Sequence, residues 1–413
     1  MKIILDLTDE AVQFLCDTIT FPSVRGKEGP VNRYIHSALS HYCDESRLMQ
    51  IPNSFKEHPL YSWPMEDLQY DDTQNLRLKI FGTSPEKARS LLFNAHSDVV
   101  PPSKNQVNPF KPQIKDGVIF GRGACDDKGQ IAVLYLVIRA LRKMNVKPQG
   151  DIWFEIVVEE ENGGNGTLFM TLDPVKADAA IVLEASDGEI YPAVRGAVWF
   201  EIICYGKPGH SGRAGDVVSA LKEAVKAMSV LEEYHHQLLT SSRGKNTLFD
   251  KFENPMPVTF GIMNSGDWPA TAPATATIKG VFGFLPNSTI REVQEGMINA
   301  IKNSSHEWLR ENFELKFNML NNEGNEIPID HPIVKELSAA MEKTNQQPII
   351  SAMTAACDAW RYNNTLKIPT VVFGAGSLKY AHSNQEQIKI EEIQKTAAAL
   401  ILLIHQWCVL EKA

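Results

Sequence analysis

Three apolar runs in the first half of the chain each end in residues that bind metal ions. SLLFNAHSDVV (90–100) ends at His96 and Asp98, GRGACDDKG (121–129) holds Asp126 and Asp127, and FEIVVEEENGG (154–164) ends in Glu159, Glu160 and Glu161. Adjacent carboxylates at the end of a buried strand repel one another, at a cost that a bound cation offsets. One histidine and several carboxylates at strand ends is an arrangement that holds one or two divalent metals over a sheet. The spacing therefore predicts an α/β fold with a metal centre at the strand ends.

Residues 7–24, with Thr8 as a cap, and 32–43 have helical spacing. Residues 50–72 are irregular and rich in Pro, aromatic and acidic residues, which suggests a surface loop or a lip of the site. The segment 75–81 alternates as a strand does. LLFNAH (91–96), WFEIVV (153–158), AAIVLEAS (179–186) and IPTVVFG (368–374) are apolar enough to be strands covered on both faces. Helical stripes run over 130–144, 331–345 and 390–411. Past Tyr191 the texture changes. Strand patterns at 196–206, 257–263, 275–284 and 313–320, with helices at 217–234 and 288–303, predict an inserted α+β sandwich. Residues 321–330 are polar and read as the linker back.

Length and composition agree with two domains. The chain has 413 residues, 43% of them hydrophobic and 22% charged, and domains hold about 100–200 residues each. The net charge of −9, without a long basic run, argues against nucleic acid or an anionic membrane surface as partner. Six scattered cysteines with no CxxC pair read as reduced thiols. The start lacks a signal-peptide pattern, and no apolar stretch reaches the ~18 residues of a membrane span. The expected location is the cytoplasm.

Several residues are candidates for chemistry. His96 and Asp98 are two apart on a strand end, so they point to one side, as a ligand and its orienting carboxylate would. Gly121 and Gly123 allow a tight turn that aims Asp126 or Asp127 inward, and one carboxylate with two oxygens can bridge two ions. Of Glu159–Glu161, one is expected to bind metal while a neighbour takes a proton from water. Glu184 ends a strand and Asp187 follows three residues on; either suits a ligand. His382, after a strand and a Gly-rich loop, suits a late ligand. His210 lies in the glycine-rich turn GKPGHSG. The remaining histidines read as structural or solvated.

The ordered motifs NAHSDVVP, GRGACDDKG, EEENGGNGT, VLEAS, GKPGHSG, CDAW and AHSNQE resemble the acetylornithine deacetylase / succinyl-diaminopimelate desuccinylase family of dinuclear zinc hydrolases. The resemblance spans most of the chain, and motifs in order are far more specific than any one alone. It implies a zinc-exopeptidase-like catalytic domain with a mixed sheet flanked by helices (1–192 and 321–413) and an inserted lid or dimerisation domain (193–320). It also implies two zinc ions, with Co or Mn as substitutes. By position, His96 and Glu184 would ligate one zinc, Glu161 and His382 the other, and Asp126 would bridge them. Glu160 would be the general base and acid, Asp98 the orienter of His96, and His210 an oxyanion stabiliser, frequently supplied by the partner subunit of a homodimer.

The chain departs from that pattern in places. Glu159 stands where the family usually has Asp, and AACD (355–358) replaces the more usual GGTD. PATAP (269–273) lacks an Asn common there. VFGFLP (281–286) lacks the Arg often used for a substrate carboxylate, which leaves Arg213, Arg291 and Arg361 as candidates. The expected activity is removal of the acyl group from an N-acyl amino acid, with N-acetylornithine and hence arginine biosynthesis in the lead. A desuccinylase, an aminoacylase and a metallo-dipeptidase are the alternatives, and a non-catalytic binding protein with a relict site is the reading from a different class.

Overall fold

The apolar runs line up as neighbours in a mixed sheet. In the computed structural model, which describes residues 2–412 except 64, 66 and 214, the strand order is Glu45–Gln50, Gln74–Ile80, Ile152–Val157, Leu91–His96, Ala179–Val182, Thr370–Val372, Ile190–Val194 and Asn325–Glu326. Strand Ile350–Met353 joins Ile190–Val194 in parallel. Leu91–His96 is parallel to both of its neighbours, with His96 opposite Val157 and Asn94 opposite Val182. Parallel pairing brings the carboxyl ends of the three strands out at one edge, and that edge carries the site.

Helices cover the sheet. Lys2–Ile19, Lys128–Met144 and Ile390–Trp407 pack together against it through Leu15, Leu134, Ile138 and Leu400, all fully buried. Lys128, at the start of the central helix, is itself buried. Its Nζ donates to the carbonyls of Thr18 (2.9 Å) and Phe21 (2.7 Å), which ties the metal-edge turn to the end of the first helix.

A second sheet of antiparallel strands runs Val258–Ser265, Thr275–Phe284, Gly196–Tyr205 and Phe313–Lys316, with Asn321–Asn322 beside Gly196–Tyr205. Strand alternation divides its faces. Val198, Phe200, Ile202 and Phe282 turn to helices Ala220–Ser242 and Ile290–Lys302, where they meet Ala224, Val293 and Met297. Trp199, Val281 and Thr259 stand in register across three strands on the other face. Among the described residues no helix is long and apolar enough to cross a membrane.

The structure corrects several expected boundaries. The first helix is Lys2–Ile19, not 7–24: Thr8 lies inside it and donates its hydroxyl to the Ile4 carbonyl at 2.9 Å, the back-bond that lets a cap-type residue sit mid-helix. The second is Gly29–Leu39, starting at Gly29 with Pro30 in its first turn rather than at Asn32. The last ends at Trp407, after which Leu410–Lys412 pairs with Val146–Pro148. Residues 321–330 are more than a linker, since Asn321–Asn322 joins the second sheet and Asn325–Glu326 the first.

Arg77 and Glu155 face each other across neighbouring strands of the large sheet, both buried, with Nη2 2.8 Å from Oε1. Tyr362 donates to the other Glu155 oxygen at 2.8 Å. Removing one partner strands a buried charge. Arg77→Met is expected to lower stability by about 3–5 kcal/mol in urea unfolding, and Glu155→Leu in the same chain to recover much of the loss.

Candidate metal centre

His96 is the last residue of its strand, and its surroundings orient the ring. Its backbone N–H donates to Asp127 Oδ2 at 2.9 Å. Nδ1 lies 3.1 Å from the Asp98 carbonyl and 3.4 Å from its carboxylate, which orients the ring with Nε2 toward the cluster. Asp98 also accepts the backbone N–H groups of Glu160 (3.2 Å) and Glu161 (3.1 Å). One carboxylate thus orients the histidine and holds the acidic turn beside it.

Asp126 is the centre of the arrangement. Its Oδ1 is 3.1 Å from His96 Nε2 and its Oδ2 is 3.2 Å from His382 Nε2. His382 Nε2 is also 3.0 Å from the Glu161 carboxylate, and Glu184 Oε1 lies 3.9 Å from His96 Nε2. Ligand atoms of His96, Asp127 and Glu184 lie within 4.8 Å of one another, as do those of Asp126, Glu161 and His382. Asp127 spends one oxygen on the His96 backbone, so it positions His96, whereas Asp126 faces both imidazoles. Glu386, the last residue of AHSNQE, is ion-paired with buried Arg122 and accepts the Asp126 N–H at 3.2 Å. It sets the GACDD turn, a role local patterning does not reveal.

The strand at 152–157 ends before its acidic residues, and Glu159 takes a left-handed φ of 56°. That break aims Glu160 and Glu161 into the cluster and Glu159 away from it. Glu159 instead binds Arg25 (3.2 Å), Tyr70 (2.8 Å) and Asn165 (2.7 Å). Asp187 faces Ser377 at 3.0 Å and stands apart, so Glu184 is the member of that pair in the cluster.

Charge is concentrated here. Burial pushes the carboxyls of Glu160, Glu184, Asp127 and Glu161 upward. Burial acts on Asp126 in the same sense, but hydrogen bonds from His382 and His96 outweigh it and hold that carboxylate well below its usual range. Burial disfavours charge on His382 as well, yet its contacts with Asp126 and Glu161 push it up to about 11. Among the described residues no Lys or Arg is ion-paired with Asp98, Asp126, Asp127, Glu160, Glu161 or Glu184. Imidazole nitrogen and carboxylate oxygen in two adjacent groups fit a pair of divalent ions.

A cavity of about 310 Å³ opens on the cluster, lined by Glu160, Glu161, His382, Arg195 and Trp199 among others. Arg195 is its cation. Its Nε donates to the Thr354 carbonyl and its Nη1 to that of Gly196 at 3.2 Å. None of the three arginines expected from sequence lines this cavity. Arg213 and Arg291 are exposed and paired with Asp216 and Glu295, and buried Arg361 lies 4.0 Å over Trp360. Arg195 follows a buried strand with no local signal to mark it. Within one chain His210 also stands outside the cavity, exposed on a two-residue strand, with Nδ1 accepting the Gly212 N–H at 3.0 Å.

The family model of peptidase family M20/M25/M40 matches residues 92–406. A Bacillus subtilis (strain 168) protein named N-formyl-4-amino-5-aminomethyl-2-methylpyrimidine deformylase is 28% identical over 378 residues, which cover 83% of this chain and 85% of that protein. The M20 family metallo-carboxypeptidase Sso-CP2 from Sulfolobus solfataricus superposes with a TM-score of 0.76 at 17% identity, over 97% of this chain and 99% of that one. A Bacillus subtilis protein described as a dinuclear metal-binding peptidase of the M20 family gives 0.64 at 14% identity, over 98% and 99%. At these identities the two structures speak to the fold.

Metal analysis of purified protein is expected to find about two divalent ions per chain. His382→Ala is expected to retain about one. Chelation is expected to lower the melting temperature, with recovery on adding zinc, because an ion that binds only the folded chain stabilises it by mass action. A melting temperature indifferent to chelator, in protein free of metal, would count against the site.

Proposed function

The chain belongs to peptidase family M20/M25/M40 and is a metal-dependent amide hydrolase, and from that premise we propose that it removes the acyl group from a small N-acyl amine or amino acid at a two-zinc centre. The observation that carries this reading is Asp126, one carboxylate facing the Nε2 atoms of both His96 and His382, with Glu160 beside it in the cavity wall.

His96, Asp126 and Glu184 would hold one ion, and Asp126, Glu161 and His382 the other. When bound, the ions polarise the scissile carbonyl and acidify the attacking water. Glu160 takes the proton of that water and returns it to the leaving amine. Its place in the cavity wall, with a carboxylate oxygen 4.0 Å from His96 Nε2, supports this role. Asp98 keeps the His96 ring in place. Arg195 offers its guanidinium to an anionic or carbonyl group of the substrate.

We assign residues 193–320 as a lid and homodimer-forming domain set between 1–192 and 321–413, in a cytoplasmic enzyme. The wall that the second sheet gives to the cavity, through Trp199, Thr259 and Val281, supports the lid. In the dimer, His210 reaches the partner's cavity and stabilises the oxyanion. The deformylase relative supports a small acyl group, and Arg195 keeps an N-acyl amino acid such as N-acetylornithine in view.

Amine release from a panel of N-formyl, N-acetyl and N-succinyl amides and dipeptides, with and without chelator, tests the reading. Glu160→Gln is expected to keep its metal and lose roughly 10²–10⁴-fold in kcat; retained turnover would remove Glu160 from the mechanism. Mixing inactive His210→Ala and Glu160→Gln chains is expected to regenerate activity, since a heterodimer contains one site with both native residues. No recovery after verified subunit exchange would rule out action by His210 across the dimer.

A further inference from the structure

A second cavity, of about 320 Å³, continues the first and shares Trp199, Thr259 and Val281 with it. Its far wall is Trp63, from the irregular 50–72 segment, whose ring centre lies 5.5 Å from that of Trp199 with the planes at 53°. Both indoles are only partly buried, although each offers a large apolar face beside a polar metal edge. We propose that this cavity is an aromatic arm of the substrate site, which takes an uncharged planar aromatic or heteroaromatic group carried by the hydrolysed amide. The proposal rests on the amide-hydrolase reading above.

The sheet builds one wall by register. Thr259, Val281 and Trp199 are cross-strand neighbours on the face turned away from the helices. Gly280 and Gly261 lie in the same wall, and a Cβ on Gly261 would meet nothing within 4 Å. Ile262 and Met319 complete the apolar lining beside the two indoles, and aromatic rings pack on one another in offset or edge-on fashion.

The loop builds the other wall, and it is tied to the catalytic strand end. Arg25 donates to the Trp63 carbonyl (2.9 Å) and to Glu159 (3.2 Å), with its guanidinium 5.9 Å from the Trp63 ring. Tyr61 meets Tyr70 at 2.5 Å, and Tyr70 donates to Glu159 at 2.8 Å. Asn165 binds both the Ser62 backbone and Glu159. Glu159 thus fixes Trp63 relative to its chain neighbour Glu160. Arg25 on one side and Lys279 on the rim disfavour a cationic ring.

The test uses the metal-replete full chain and the ratio of kcat/KM for N-acetyl-phenylalanine over N-acetyl-alanine. The wild type is expected to favour the aromatic substrate. Trp63→Ala is expected to lower the ratio roughly tenfold and Trp63→Phe to keep most of it. An unchanged ratio in Trp63→Ala would overturn the arm. If the wild type cleaves neither compound, these substrates fail as amide substrates independently of the arm. Calorimetric titration of N-acetyl-phenylalanine into Glu160→Gln protein then decides: binding that weakens tenfold on adding Trp63→Ala supports the arm, and no binding, or binding indifferent to Trp63, overturns it.

Discussion

The concentration of negative charge at one edge of a buried sheet governs the rest of this molecule. Like charges about 4 Å apart repel by about 4 kcal/mol even at an effective dielectric constant of 20, and here carboxylates from four chain segments share one edge. Local geometry answers part of that repulsion. Asp98 spends its oxygens on backbone N–H groups of the acidic turn, and Asp127 spends one on the His96 backbone. What remains on Asp126, Glu161, Glu184 and the two imidazoles is a donor set suited to divalent ions. The fold, the electrostatics and the reaction class thus rest on the same few side chains.

Support for that edge comes from residues that never enter it. Glu386, paired with Arg122, holds the turn that aims Asp126. Lys128 pins the start of the central helix to the end of the first. Glu159 faces the opposite way from its two acidic neighbours and anchors the 50–72 segment. A run of three glutamates therefore has two jobs, divided by a single left-handed residue at the strand end.

The second sheet meets the metal edge with the face that its helices leave uncovered. Because strand alternation is strict, burial of Phe200 and Phe282 under helices obliges Trp199 and Val281 to face the other way. That cavity wall is a consequence of the second sheet's own core packing.

Much of this was legible in the sequence, because it depends on local rules. The period of the apolar runs marked the central strands, and metal-binding residue types at their ends marked the residues that the structure gathers around Asp126. Local rules failed where a partner distant in sequence decides the outcome. Thr8 resembled a cap until the apolar stripe upstream extended the helix past it. Strands Glu45–Gln50 and Ile350–Met353 carry little alternation and are defined by their neighbours. Arg195 and Trp63 gained their positions only when separate elements closed over the metal edge, while Arg213 and Arg291 found nearer acids. The sequence by itself determined which residues carry charge, which runs are buried and hence what chemistry is available. Only the tertiary structure decided which strand ends share an edge and which cation and rings face the cavity, because those follow from parallel pairing and loop closure between segments that no local period connects.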